Sequence, residues 1–380
     1  MKKYSMMLLA IFGLLLMSCS EEEIANEENF SQKAIGFNVL SNAAQTWATP
    51  TTPSKRAKPI TPNNLTETDF DVFAFTANGT AFMGNVDTEF GHDGVNIKYN
   101  GDKKKWDYAN ASDLRYWPSE ALDFYAFNPG TVSDDMLPFY RWEASGNSQK
   151  ISYTCIDEYA KGTHANYDVM YAIAKGQTKA KNNGIVKFNF KHILSQVVFK
   201  AKTQYANMQV DIKEIKINNI KFSGEFTLPK TADGTGSWSS SAITSHNAFT
   251  VVTGANITVN SNTAATDIST TTPMLNIPQT LTPWVVSGDS KTKEGADKTL
   301  QCYLEITCKI QQSGAYLLGS ADKYETIYVP FGVTWEPGKR YIYTLIFGGG
   351  YNDHGNPVLK PIEFDAETTD WADANSDVNV

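Results

Sequence analysis

The sequence predicts an all-β protein of two domains, and three observations carry that expectation. Aromatic residues make up 12% of the 380 positions against only 19% charged, a composition suited to half-buried pleated faces. Short segments of alternating apolar and polar residues recur along the chain, with Gly, Asn, Pro and Ser between them. No window keeps a three-to-four-residue apolar period for more than a couple of turns. A chain of this length fits two cores better than one small sandwich.

The amino end is not part of either core. Lys2 and Lys3 precede an apolar run from Met6 to Met17, too short to span a bilayer and typical of a secretory signal. Leu16-Met17-Ser18-Cys19 reads as a lipobox, which puts an acyl anchor on Cys19 and removes residues 1–18 as a signal peptide. The mature form is then expected to be a lipoprotein, tethered by its acyl chains and otherwise soluble. Residues 19–32, with Glu21, Glu22 and Glu23 at their head, read as an acidic tether.

The first strand follows. Ile35, Phe37 and Val39 alternate with Gly36 and Asn38, so one side of residues 33–40 is apolar. Behind it, Pro50, Pro53, Pro59 and Pro62 punctuate an extended linker that holds Arg56-Ala57, an exposed basic bond of the kind proteases cut. Residues 33–56 are read as a first strand joined to the rest by an exposed, cuttable loop, so the strand could leave once that loop is cut. Its departure would bare unpaired backbone and an apolar groove, a template for another strand. Detachment requires that the strand not be a central one pinned on both flanks. The plain alternative is an edge strand and a solvated Arg56.

Residues 57–200 and 201–380 are assigned to the two sandwich domains. In the first, strands are expected at 69–75, 106–108, 122–127, 168–173 and 184–191. The run 194–202 reads as a strand or a crossover. Residues 208–217 and 220–228 suggest a hairpin through Asn218-Asn219. Residues 231–272, rich in Thr, Ser, Ala, Asn and Gly, read as long surface loops. Later strands are expected at 274–277, 300–310, 326–333, 340–347 and 358–366. In the last of these Ile362, Phe364 and Ala366 alternate, a candidate donor strand for the groove or an ordinary final strand capped by Trp371.

The remaining chemistry is sparse. Cys302 and Cys308 lie on one face of the 300–310 strand, about 20 Å apart at ~3.3 Å per residue, too far to pair, and with Cys155 they read as buried thiols. No CxxC or His-spaced set points to zinc, and no cofactor is expected. A net charge of −8, more negative once Lys2 and Lys3 are removed, disfavours nucleic acid as a partner. His92, His164, His192, His246 and His354 sit in no nucleophile or metal motif. His192, in phase with Val186, Phe188 and Phe190, reads as partly buried with a backbone partner. An enzyme is not expected. Trp106, Tyr116 and Trp117 resemble a sugar platform, although aromatics beside Pro118 more often form core.

Several stretches together resemble the fimbrillin family of Bacteroidetes, in particular its Mfa-like branch of type V pilus subunits. They include Asp113-Leu114-Arg115-Tyr116-Trp117-Pro118, Leu122-Asp123-Phe124-Tyr125-Ala126-Phe127-Asn128-Pro129, Phe190-Lys191-His192-Ile193-Leu194-Ser195-Gln196-Val197 and Trp335-Glu336-Pro337-Gly338-Lys339-Arg340-Tyr341. The acidic residues behind Cys19 likewise resemble the surface-export signal of lipoproteins in those bacteria. The resemblance implies two transthyretin-like β-sandwich domains with Greek-key-like connections. It also implies partners: other fimbrial subunits, a trypsin-like Arg-specific protease cutting after Arg56, and the outer membrane through the lipid on Cys19. Ile35, Phe37 and Val39 would fill the groove until cleavage, after which a neighbour's strand replaces them and a fimbrium supporting adhesion grows. The alternative reading is a non-polymerising surface lipoprotein that binds host or dietary glycans.

Overall fold

The computed structural model describes residues 33–40, 60–84, 94–131, 140–145, 148–157, 166–241, 246–269, 273–359 and 362–370. Cys19, Arg56, Ala57 and Trp371 lie outside the described residues.

Strands dominate, as the alternation predicts. The chain begins with β1 (Gly36–Val39), β2 (Asp69–Thr76), β3 (Ala81–Met83), β4 (Val95–Asn100), β5 (Lys105–Tyr108) and β6 (Leu122–Asn128). It continues with β7 (Tyr140–Ala144), β8 (Gln149–Thr154), β9 (Met170–Gln177), β10 (Ile185–Phe188), β11 (Lys191–His192) and β12 (Ser195–Thr203). Next come β13 (Met208–Asn218), β14 (Ser223–Thr227), β15 (Ser237–Ser240), β16 (Ala248–Val259), β17 (Thr266–Asp267) and β18 (Met274–Asn276). A short helix, α1 (Lys293–Lys298), precedes β19 (Tyr303–Gln312), β20 (Ala315–Leu318), β21 (Glu325–Pro330) and β22 (Lys339–Phe347). The last strands are β23 (Gly349–Tyr351), β24 (Pro357–Leu359) and β25 (Glu363–Asp370).

They build four sheets. A nine-stranded sheet runs β10-β1-β5-β4-β2-β6-β9-β11, with β3 on β2. A five-stranded sheet runs β17-β12-β22-β25 with β18 on β12, and a seven-stranded sheet runs β16-β13-β19-β21-β23-β24 with β20 on β19. A four-stranded sheet, β15-β14-β8-β7, takes two strands from each half of the chain. The fold is all-β, as expected from composition and period.

Strand β2 shows how the layers are made. Phe70, Val72 and Ala74 enter a core with Ile35, Phe37, Val39, Trp106, Trp117, Phe124 and Phe188. Phe73 and Phe75 point the other way and join Phe127, Trp142 and Tyr153 in a core that continues to Ile306 and Tyr343. A strand buried on both faces loses the clean polar alternation, which is why Asp69–Thr76 reads as a nearly continuous apolar run. Phe37 on β1 meets Phe124 on β6 at 6.2 Å although three strands separate them in the sheet order, so the nine-stranded sheet rolls over itself.

Several expectations are corrected. The hairpin through Asn218-Asn219 does not form: β13 pairs with β16 and β19, whereas β14 pairs with β8 and β15. Asn219, at φ 60, turns the chain out of one sheet and towards another. The expected surface loops at 231–272 contain β16, whose Val251, Val252 and Val259 are buried. The expected boundary at 200/201 falls inside β12, which pairs with β22 from Gln196 to Thr203. The strand expected at 358–366 is two, β24 and β25, in different sheets. Leu300 precedes β19 at φ 53 instead of opening the strand.

Cys302 and Cys308 are unbridged and buried, as their strand spacing predicts, and Cys155 is buried as well. Burial pushes the Cys308 thiol up to about 12 and raises that of Cys302 as well. A thiol that stays protonated is a poor nucleophile. All three should resist a maleimide at pH 7.5 in folded protein and react in guanidinium, read by mass spectrometry; fast labelling of the folded chain would contradict this packing.

Candidate functional site

The inward face of the first strand is where the alternation put it. Ile35, Phe37 and Val39 are buried, and Gly36 and Asn38 are half-exposed on the other face. Phe37 stacks on Phe188 at 6.0 Å and meets Tyr108 edge-on at 5.6 Å. Trp117 completes this wall, its ring 5.8 Å from Phe124 and its indole N–H donating to the Gly184 carbonyl at 3.0 Å.

The strand's flanks correct the simplest picture of a detachable element. β1 is second from the margin of its sheet, not at it. On one side it runs parallel to β10, in register from Gly36 opposite Ile185 to Val39 opposite Phe188. On the other side it pairs antiparallel with β5 only through Phe37 and Trp106. The ends are held as well: the Ile35 N–H donates to Arg115 O at 2.9 Å, the Trp117 N–H to Lys33 O at 3.0 Å, and the Leu40 N–H to Phe188 O at 2.8 Å. The Tyr108 hydroxyl donates to the Ile35 carbonyl at 3.1 Å. Burial drives that hydroxyl's pKa up, so it remains a donor. The element is therefore a short insert, with one full ladder and one nominal one.

A second constellation lies around Ile60, where the described chain resumes after β1. The Ile60 N–H donates to Asp168 Oδ2 at 2.6 Å, and Asp168 Oδ1 lies 3.0 Å from His192 Nδ1. Both polar side chains are fully buried and Ile60 itself is in the core. His192 was expected to be only partly buried, with a backbone partner; it is buried and its partner is a carboxylate. The strand phase fixed its inward direction, but Asp168 reaches it only because β11 pairs with β9, setting His192 opposite Met170. Chain downstream of residue 60 is thereby latched to the fold independently of β1.

The candidate donor strand is built differently. β25 pairs with β22 from Glu363 opposite Ile346 to Asp370 opposite Lys339, at the margin of its sheet. Ile362 is buried, Phe364 is half-buried against Phe331 at 5.7 Å, and Ala366 is exposed. It is a ladder on one flank with little apolar surface beneath it. Of the three aromatics that resemble a sugar platform, Trp106 and Trp117 are core and only Tyr116 is exposed. Among the described residues no group of three or more His, Cys, Asp or Glu side chains could hold a metal ion, and no helix is long and apolar enough to cross a membrane.

Comparison with known proteins gives a consistent picture. A family model described as fimbrillin-like matches residues 56–371. Fimbrium subunit Fim1C of Phocaeicola vulgatus is 25% identical over 236 residues, 58% of this chain and 57% of that relative, so the similarity spans little more than half of its length. The crystal structure of a fimbrial protein from Bacteroides vulgatus superposes with a TM-score of 0.56 at 14% identity, covering 89% of this chain and 99% of that one.

Proposed function

The chain belongs to the fimbrillin-like family, and from that premise we propose that it is a structural subunit of a surface fimbria, assembled by strand exchange. In this reading it is exported as a lipoprotein through Cys19 and cut after Arg56 by a trypsin-like protease. The slot filled by Ile35, Phe37 and Val39 then accepts a strand from another subunit. Its two halves are read as transthyretin-like sandwiches.

The observation that carries the reading is the slot itself. Each fully buried side chain of β1 contributes on the order of 1.5–3 kcal/mol, and each ladder hydrogen bond about 1 kcal/mol. β1 is held along its length by β10 and by β5 at a single pair, so its removal bares the β10 edge, a short stretch of β5 and an apolar floor, an acceptor for another strand. The same double flank makes spontaneous loss of β1 slow, so cleavage alone should leave it in place until a donor displaces it. The Asp168–His192 latch holds the chain at Ile60 to the fold meanwhile.

β25 suits the role of donor. Ile362-Glu363-Phe364-Asp365-Ala366 repeats the Ile-x-Phe-x-aliphatic order of Ile35-Gly36-Phe37-Asn38-Val39, with the smaller Ala366 in the place of Val39. Entering in the same direction, it would run parallel to β10 and give up one flank to gain two. The glycan-binding alternative has less support, because two of its three candidate aromatics are core.

Arg56→Ala tests the proposal. The variant chain should keep an acylated Cys19 start by mass spectrometry and remain monomeric on gel filtration. Wild-type chains should begin at Ala57 and form multimers. Multimers of Arg56→Ala equal to wild type would remove the mechanism.

A further inference from the structure

We propose that the slot reads charge as well as shape, with Lys187 of one copy pairing with Asp365 of a second copy of this chain. The inference rests on the reading of β25 as donor.

The register makes the argument. Asn38 lies opposite Lys187 in the parallel pairing of β1 with β10. On the other flank Phe37 faces Trp106 in an antiparallel pair, so the next residue on β5 beside Asn38 is Lys105. Laying Ile362, Phe364 and Ala366 on Ile35, Phe37 and Val39 brings Asp365 to the place of Asn38, between these two lysines. Lys105 already pairs with Asp107 at 3.5 Å. Lys187 is exposed, and among the described residues it has no ion-pair partner.

The neighbouring position is compatible. Glu363 falls where Gly36 now stands, and a Cβ there would meet the Ile185 side chain at 3.4 Å, ordinary contact. On its other side is Asp107, which Lys103 and Lys105 neutralise, so Glu363 contributes no attraction and the recognition falls to Asp365. At home Asp365 faces Thr344 on β22, and among the described residues no strand pairs with the second flank of β25. Its acidic face thus gains a partner in the slot that its own sheet does not supply. Opposite charges directly across a ladder attract and like charges repel.

The direction of insertion makes this testable. A donor entering in reverse would put Ala366 at Ile35 and Glu363, not Asp365, beside Lys187. The experiment uses the full-length chain cut behind Arg56 and a fluorescein-labelled peptide of residues 362–370, with binding followed by anisotropy. Lys187→Glu should weaken binding about fivefold. An Asp365→Lys peptide should bind wild type about as poorly and recover on Lys187→Glu, a recovery that also shows the variant slot is folded. A Glu363→Lys peptide should bind like wild type. Equal binding of the unmodified peptide to wild type and Lys187→Glu overturns the charge pairing and leaves the donor reading standing. Weakening by Glu363→Lys in place of Asp365→Lys overturns the register. No binding of any peptide overturns the donor reading and this inference with it.

Discussion

Phe37→Ala should lower the stability of the uncut chain by about 3–5 kcal/mol, the usual cost of emptying a buried aromatic site. The ring contacts Phe188, Tyr108 and Phe124, members of three different strands, so its loss cannot be healed by one neighbour shifting. If β1 leaves on assembly, the same substitution should have no effect on the stability of multimers already formed, because the residue is no longer in them. Phe364→Ala should behave in the opposite way. Phe364 is half-buried against one ring, so the monomer loses roughly 1 kcal/mol while a donor deprived of its central side chain no longer fills the Phe37 site. Guanidinium unfolding of monomers and gel filtration of processed chains separate the two effects. Multimers weakened equally by Phe37→Ala would mean that β1 never leaves.

Asp168→Ala should cost about 3–5 kcal/mol, as breaking a buried polar pair does when one partner stays behind. The carboxylate accepts from the Ile60 N–H and holds His192 Nδ1, so its removal strips both partners at once in a site sealed from water. Asp168→Asn, which keeps an acceptor oxygen and the shape, should lose less. The measurement is the guanidinium midpoint of the uncut chain, paired with limited proteolysis around residues 57–60, where Asp168→Ala should open new cleavage. A midpoint within about 1 kcal/mol of wild type, with no new cuts, would show that the latch holds nothing.

These two sites differ in how they could be read beforehand. Ile35, Phe37 and Val39 announce an apolar face through a period of two, which is a local property of five consecutive residues. Their flanks do not announce themselves. Parallel pairing with β10 joins residues about 150 positions apart, and nothing in Gly36–Val39 encodes which distant strand wins. The same competition undid the hairpin at Asn218-Asn219. Its turn chemistry is present, with Asn219 at positive φ, but both edges of β13 are taken by β16 and β19. Strand β16 was hidden for another reason: its Thr, Asn and Gly content resembles loop, and only burial of Val251, Val252 and Val259 shows that the segment is core.

What the sequence determined alone was therefore everything with a short range: the all-β class, the inward faces of most strands, the inert placing of Cys302 and Cys308, and the Ile-x-Phe alternation of residues 35–37 and 362–364. Tertiary structure decided which edges meet, because backbone hydrogen bonds are the same for every strand and the choice among partners is made by whichever faces bury together. That is why β1 proved to be a bracketed insert instead of a marginal strand, and why Asp168 and His192 became a pair.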